Sequence, residues 1–139
     1  MKILYTATAT ATGGREGKVR SSDGMLDIPL AMPKELGGSG RPATNPEQLF
    51  AAGYAACFEN ALRRVARERK TPITDSSVEA SVGIGRTEDN YFKLAVDLKV
   101  VVPGMDRAQV EELARIAHEE VCPYSRATRG NIDVRLSVV

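Results

Sequence analysis

At 139 residues and a net charge of +1, with two cysteines and one histidine, the chain fits a single domain, residues 1–139, long enough to bury a core without disulfides or a metal. The near-neutral balance gives no electrostatic footprint for nucleic acid or an anionic membrane. No apolar run reaches the ~20 residues needed to span a bilayer, and the N-terminus lacks the apolar stretch and cleavage site of a signal peptide, so the chain is expected in the cytoplasm.

Residues 2 to 12 alternate and are rich in threonine, which predicts a strand. Gly13-Gly14-Arg15-Glu16-Gly17 is a turn that holds an arginine between glycines. Lys18 to Ser22 predict a second strand, Ser22-Asp23-Gly24 a tight turn, and Met25 to Leu30 a third strand, at a sheet edge because of Pro29. Residues 33 to 45, with two prolines, a Gly-Gly and a Gly-Ser-Gly, predict a long loop of the kind that often serves function. Asn45 then caps a helix, with Pro46 at its first position and Gln48 completing a capping-box-like signal. That helix should run to about Arg69, before Thr71-Pro72. The basic cluster Arg63-Arg64, Arg67, Arg69 and Lys70 lies in its last turns, where cations suit the helix dipole. Residues 76 to 88 and 91 to 102 read as a hairpin. Asp106, supported by Gln109, caps a second helix with the apolar stripe Val110, Leu113, Ala114, Ala117 and Val121. A short helical turn after Cys122 and a strand from Ile132 to Val138 close the chain.

The first long helix carries no charge from Leu49 to Phe58, and apolar or small residues cover every face. Such a helix is normally buried all round. A chain of this size has little room to surround a helix of about 24 residues, about 36 Å long, so a second subunit is expected to supply part of the cover.

Cys57 lies inside that helix and Cys122 precedes Pro123. In a cytosolic chain, two cysteines point to redox or catalytic chemistry more readily than to a permanent bridge. Taken alone, Cys57 also fits a small, inert core residue. To react it needs a nearby cation, and mid-helix the macrodipole offers little. Arg15 could supply that cation and Glu47 could orient it, although an arginine in a turn is ordinarily solvated and an acid in a first helical turn is favoured by the dipole anyway. Cys122, at an N-cap, suits a resolving cysteine that attacks an oxidised partner; its plainer reading is a half-buried thiol that ends the second helix. Two cysteines and His118 do not make a four-ligand zinc site. The glycine turn at 13–17 lacks the lysine and spacing of a phosphate loop, and no nucleophile elbow is present.

Three blocks together resemble the organic hydroperoxide resistance proteins, the Ohr branch of the Ohr/OsmC family. These are Gly13-Gly14-Arg15-Glu16-Gly17, the stretch from Ala43-Thr44-Asn45-Pro46-Glu47 through Cys57-Phe58, and Cys122-Pro123-Tyr124-Ser125 through Thr128-Arg129-Gly130-Asn131. The resemblance covers nearly the whole chain, in order and at the expected separations. It implies an α+β fold, OsmC-like, with antiparallel sheets packed around two long central helices in an intertwined homodimer. It implies a thiol-dependent peroxidase for organic, including lipid-derived, hydroperoxides. Cys57 then corresponds to the peroxidatic cysteine, Cys122 to the resolving one, and Arg15 and Glu47 to the residues that activate the thiolate. Electrons would come from a lipoylated protein or dihydrolipoamide, and no metal, haem or flavin is called for. Phe50, Tyr54, Phe58, Met25 and Met32 are candidates for an apolar pocket.

One geometric expectation follows from the helix itself. Glu47 and Cys57 are ten residues apart, about 15 Å along the axis and about 80° around it. Two such helices crossing antiparallel near Ala52, where Ala51, Ala52 and Gly53 permit close approach, would bring Glu47 of one subunit level with Cys57 of the other. A site that draws on both chains is therefore expected. Three other readings stay open: an OsmC-like branch with another reductant or peroxide preference, a dimeric binding protein for an apolar ligand with inert thiols, and a structural dimer whose thiols store a disulfide.

Overall fold

The computed structural model describes all 139 residues. The chain forms two compact units, Met1–Leu49 and Phe50–Val139.

The first unit is an antiparallel sheet of three short strands, β1 (Ala9–Thr12), β2 (Lys18–Ser21) and β3 (Asp27–Pro29), in that order. The strand expected over residues 2 to 12 is paired only from Ala9, opposite Ser21. The chain turns away just beyond Ser21, and Ser22 makes the last backbone bond, to the Thr8 carbonyl at 2.9 Å. Residues before Thr8 therefore have no ladder partner in this chain. β3 is an edge strand, which tolerates the missing N–H of Pro29. Between β1 and β2, Gly13 and Gly14 take positive φ angles of 74° and 56°, and a Cβ on Gly17 would stand 1.7 Å from the Thr12 carbonyl oxygen. Only glycines allow this tight connection, and it presents Arg15 on a 3₁₀ turn, Gly14–Glu16. Within the expected long loop, a second 3₁₀ turn spans Lys34–Leu36.

Helix α1 runs from Pro46 to Glu68. Asn45 caps it as expected, its side-chain oxygen accepting from the Gln48 N–H at 2.9 Å. The reciprocal half of the capping box is replaced: the Gln48 side-chain oxygen accepts from the Thr44 hydroxyl instead. Along α1, Tyr54, Phe58, Ala61, Leu62, Val65 and Ala66 are buried, a stripe at helical spacing.

In the second unit that stripe packs into one core with Leu98, Val100, Val110 and Leu113. Fully burying a side chain such as Leu62 or Leu98 contributes about 1.5–3 kcal/mol. The sheet comprises β4 (Ser77–Arg86), β5 (Phe92–Val101) and β6 (Asp133–Val138). β4 and β5 form the expected hairpin, in register from Ser77 opposite Val101 to Arg86 opposite Phe92. β6 departs from the antiparallel expectation and pairs with β5 in parallel. The helical stretch between them returns the chain to the starting end of β5, as a parallel connection requires.

That stretch begins with α2 (Arg107–Ile116), capped by Asp106, whose carboxylate accepts from the Gln109 N–H. Val110, Leu113, Ala114 and Ala117 of its expected stripe are buried. The α-helix stops at Ile116, and Ala117–Val121 continue as a π-helical turn. Helix α3, Pro123–Thr128, follows with Cys122 as its N-cap.

Candidate active site

The structure brings the two cysteines together. Cys57 lies mid-way along α1, Cys122 lies at the start of α3, and their sulfurs are 3.9 Å apart with the Cys122 S–H directed at Cys57 Sγ. Both thiols are free. Their exposures differ: Cys57 is half-buried, whereas Cys122 is 1% exposed. A reagent from solvent therefore meets Cys57 first. Cys122 Sγ accepts from the Ser125 N–H at 3.5 Å, the N-cap contact expected when Pro123 opens a helix. Burial pushes the Cys57 thiol above its usual range, the Tyr124 backbone amide opposes that shift, and the neighbouring Cys122 adds to it. These surroundings disfavour the thiolate of Cys57, which a nearby cation would favour.

Arg15 and Glu47 are brought together as a second pair. Arg15 Nη1 and Nη2 donate to Glu47 Oε2 and Oε1, each at 2.7 Å. The glycine-framed turn presents the guanidinium, and the first turn of α1 presents the carboxylate, at a helix end that favours negative charge. The Arg15 hydrogen bonds hold the Glu47 carboxyl below its usual range. Glu47 in turn raises the already high value of Arg15.

The arginine turn is itself braced. Arg41 Nη2 donates to the carbonyls of Glu16 and Leu30 at 2.7 and 2.8 Å, and the Glu16 carboxylate accepts from the Met32 N–H at 3.0 Å.

Around the thiols, Phe50, Tyr54 and Tyr124 form an aromatic cluster with centroids 5.6 to 6.2 Å apart. Tyr124 lies across Gly53, where a Cβ would stand 2.8 Å from its hydroxyl. Of the apolar residues singled out for a pocket, Tyr54 and Phe58 are fully buried and belong to the core. Phe50 is partly buried against that core. Met25 is exposed, and Met32 lines a cleft of about 370 Å³ with Pro33, Arg41 and Gln48.

A set of polar side chains beside the thiols goes beyond the sequence reading. The Tyr54 hydroxyl lies 2.9 Å from Ser125 Oγ and 3.2 Å from Thr128 Oγ1. Ser125 Oγ also lies 2.9 Å from His118 Nδ1. Burial, then the charge of Arg129, lowers the His118 pKa. The signal available in the sequence was the pair Ser125 and Thr128 on one face of a short helix, with a tyrosine inside an apolar run. No group of three or more histidine, cysteine, aspartate or glutamate side chains converges as a metal site, and no helix is long and apolar enough to cross a membrane.

Residues 37–137 match the family model described as OsmC-like protein. The chain is 56% identical over 138 residues to the organic hydroperoxide resistance protein of Xanthomonas axonopodis pv. citri, covering 99% of this chain and 96% of that one. It is 50% identical over 136 residues to the organic hydroperoxide resistance protein OhrB of Bacillus subtilis, with 97% and 98% covered. Among solved structures, an organic hydroperoxide resistance protein of Legionella pneumophila superposes with a TM-score of 0.92 at 54% identity, over 99% of this chain and 98% of that one. The three motif blocks, the α+β architecture and these likenesses agree: the chain belongs to the OsmC-like family and, within it, to the organic hydroperoxide resistance proteins.

Proposed function

We propose that this protein is a thiol peroxidase that detoxifies organic hydroperoxides. The observation that carries this reading is the pair of free thiols 3.9 Å apart, one reachable from solvent and one buried. The names of the relatives supply the substrate class.

In the proposed cycle Arg15, oriented by Glu47, stabilises Cys57 as a thiolate. The thiolate attacks the outer peroxide oxygen, the O–O bond breaks, and the alkoxide leaves and takes up a proton to become the alcohol. Cys57 is left as a sulfenic acid, oxidised by two electrons. Cys122 then attacks the Cys57 sulfur, hydroxide leaves and is protonated to water, and a Cys57–Cys122 disulfide forms. A dithiol, such as dihydrolipoamide or a lipoylated protein, reduces the disulfide by exchange.

A homodimer is part of this proposal. The first unit has only Leu30 and Ala31 buried, while Ile3, Leu4, Tyr5, Met25 and Leu26 are exposed. A three-stranded sheet with so little core of its own is expected to gain cover from a partner. Ala52 and Ala56 are exposed on one face of α1, where a second α1 could approach closely. In that arrangement Glu47 of one subunit would serve Cys57 of the other.

The deciding experiment adds one equivalent of an alkyl hydroperoxide per subunit to reduced protein and to Cys122→Ser, followed by intact-mass measurement. Loss of two hydrogens in the wild type and gain of one oxygen at Cys57 in the variant are expected. No mass change in either would remove the peroxidase reading and favour an apolar-ligand binding protein.

A further inference from the structure

We propose that Tyr54, Ser125 and His118 form a positioning unit for the resolving step, holding the Cys122-bearing helix against α1; the inference rests on the peroxidase reading above.

Two rungs join the same two helices. On α1, Tyr54 precedes Cys57 by one helical turn; on α3, Ser125 follows its N-cap Cys122 by one turn. The Sγ–Sγ approach of 3.9 Å is one rung. The Tyr54 hydroxyl to Ser125 Oγ, at 2.9 Å, is the other. Ser125 also donates its N–H to Cys122 Sγ, so one residue touches both rungs.

α3 is held down mainly by polar contacts. Its buried residues are Ser125 and Thr128 alone, both polar, while Pro123, Tyr124, Arg126 and Ala127 are exposed. Hydrophobic contact, which anchors most short helices, comes from the partly exposed Tyr124 ring against Phe50 and Tyr54. Beside it, Ser125 Oγ bonds to Tyr54 and His118, and Thr128 Oγ1 meets Tyr54 and donates to the Ser125 carbonyl at 3.1 Å. At the far end Arg129 Nη2 donates to the His118 and Glu119 carbonyls at 2.7 and 2.8 Å. Every buried side-chain nitrogen and oxygen is satisfied, and the Tyr54 and Ser125 hydroxyls each take part in two of these contacts, so removing either one takes a bond from both of its partners and loosens the helix. Condensation of the Cys57 sulfenic acid with the Cys122 thiol expels water only if the sulfurs meet in line. That alignment is what these hydrogen bonds supply.

The test is a single-turnover reaction of reduced wild type, Tyr54→Phe and Ser125→Ala with an alkyl hydroperoxide, quenched at intervals and read by mass. Sulfenic acid formation at Cys57 should stay within about twofold of wild type, while disulfide closure slows roughly fivefold to tenfold, the loss expected for one buried hydrogen bond. Trapping of Cys57 by an added 1,3-dione should rise in step. Folded variants that close at the wild-type rate would overturn the inference. A wild type that gains no oxygen and forms no disulfide would overturn the peroxidase reading first, and this inference with it. Should either variant fail to fold, the wild type still decides. His118 is the only histidine, so its ring resonances are read without ambiguity. They should shift between the dithiol and disulfide forms, and identical spectra would refute the coupling.

Discussion

Arg15 and Glu47 meet through two parallel hydrogen bonds of 2.7 Å, a geometry that a planar guanidinium can make and an ammonium cannot. Arg15→Lys keeps the charge and loses the fork. Turnover of an alkyl hydroperoxide is expected to fall at least about tenfold, with the far-ultraviolet circular dichroism unchanged. Near-normal turnover in the lysine variant would show that charge alone suffices.

The same pair sets a pH dependence of stability. Glu47 titrates lower in the folded chain than its ordinary value, through the Arg15 hydrogen bonds. A carboxylate with a depressed folded pKa stabilises fully above its unfolded value and loses that contribution as pH falls through the folded one. The stability difference between wild type and Glu47→Gln, from urea unfolding, should be constant from pH 7 to about pH 5 and shrink below roughly pH 4. A difference that instead grew on acidification would reverse the assigned sign.

Burial raises the Cys57 thiol, so its reactivity should reveal whether Arg15 acts on it. In a Cys122→Ser background, the rate of iodoacetamide alkylation at Cys57 is expected to inflect at higher pH once Arg15 becomes Ala. Superimposable profiles with and without Arg15 would place the activating cation elsewhere.

How much of this was legible in the sequence depends on the range of the interactions concerned. Asn45-Pro46 and Cys122-Pro123 announce helix starts because capping is local, and the α1 and α2 stripes follow from periodicity alone. The parallel pairing of β6 and the late start of β1 were not legible, since a strand's own residues do not state which partner lies beside them or where the partner ends. Cys57, Cys122, Arg15 and Glu47 stood out by their motif blocks, although each alone had an ordinary structural reading. Tyr54 passed for a core aromatic. Its hydroxyl partners are 71 and 74 residues away, beyond any spacing rule.

Gly53 offers a prediction that isolates packing from chemistry. A Cβ there would stand 2.8 Å from the Tyr124 hydroxyl and 3.3 Å from its ring. Gly53→Ala should displace the half-exposed Tyr124 side chain and so lose most of the roughly 1 kcal/mol that alanine otherwise gains over glycine inside a helix, leaving the urea midpoint close to that of the wild type. Tyr124→Phe combined with Gly53→Ala should recover part of the loss, because the closest atom is then gone. A double variant no better than the single one would point to the helix backbone instead.

The wide turn at Ala117–Val121 has a consequence for where Cys122 is aimed. Its N–H reaches back five residues to the Ala117 carbonyl at 2.8 Å, one residue further than in an α-helix, which advances about 100° per residue. The segment thus carries one surplus residue, which turns the chain's arrival at Cys122 by that increment relative to α2, before the extended backbone of Cys122 ends the helix. Deleting a single residue here is expected to restore α-helical spacing and to turn the sulfur away from α1. Chain length in this stretch therefore works as a rotational setting of the thiol, and a loss of one residue would alter direction far more than distance.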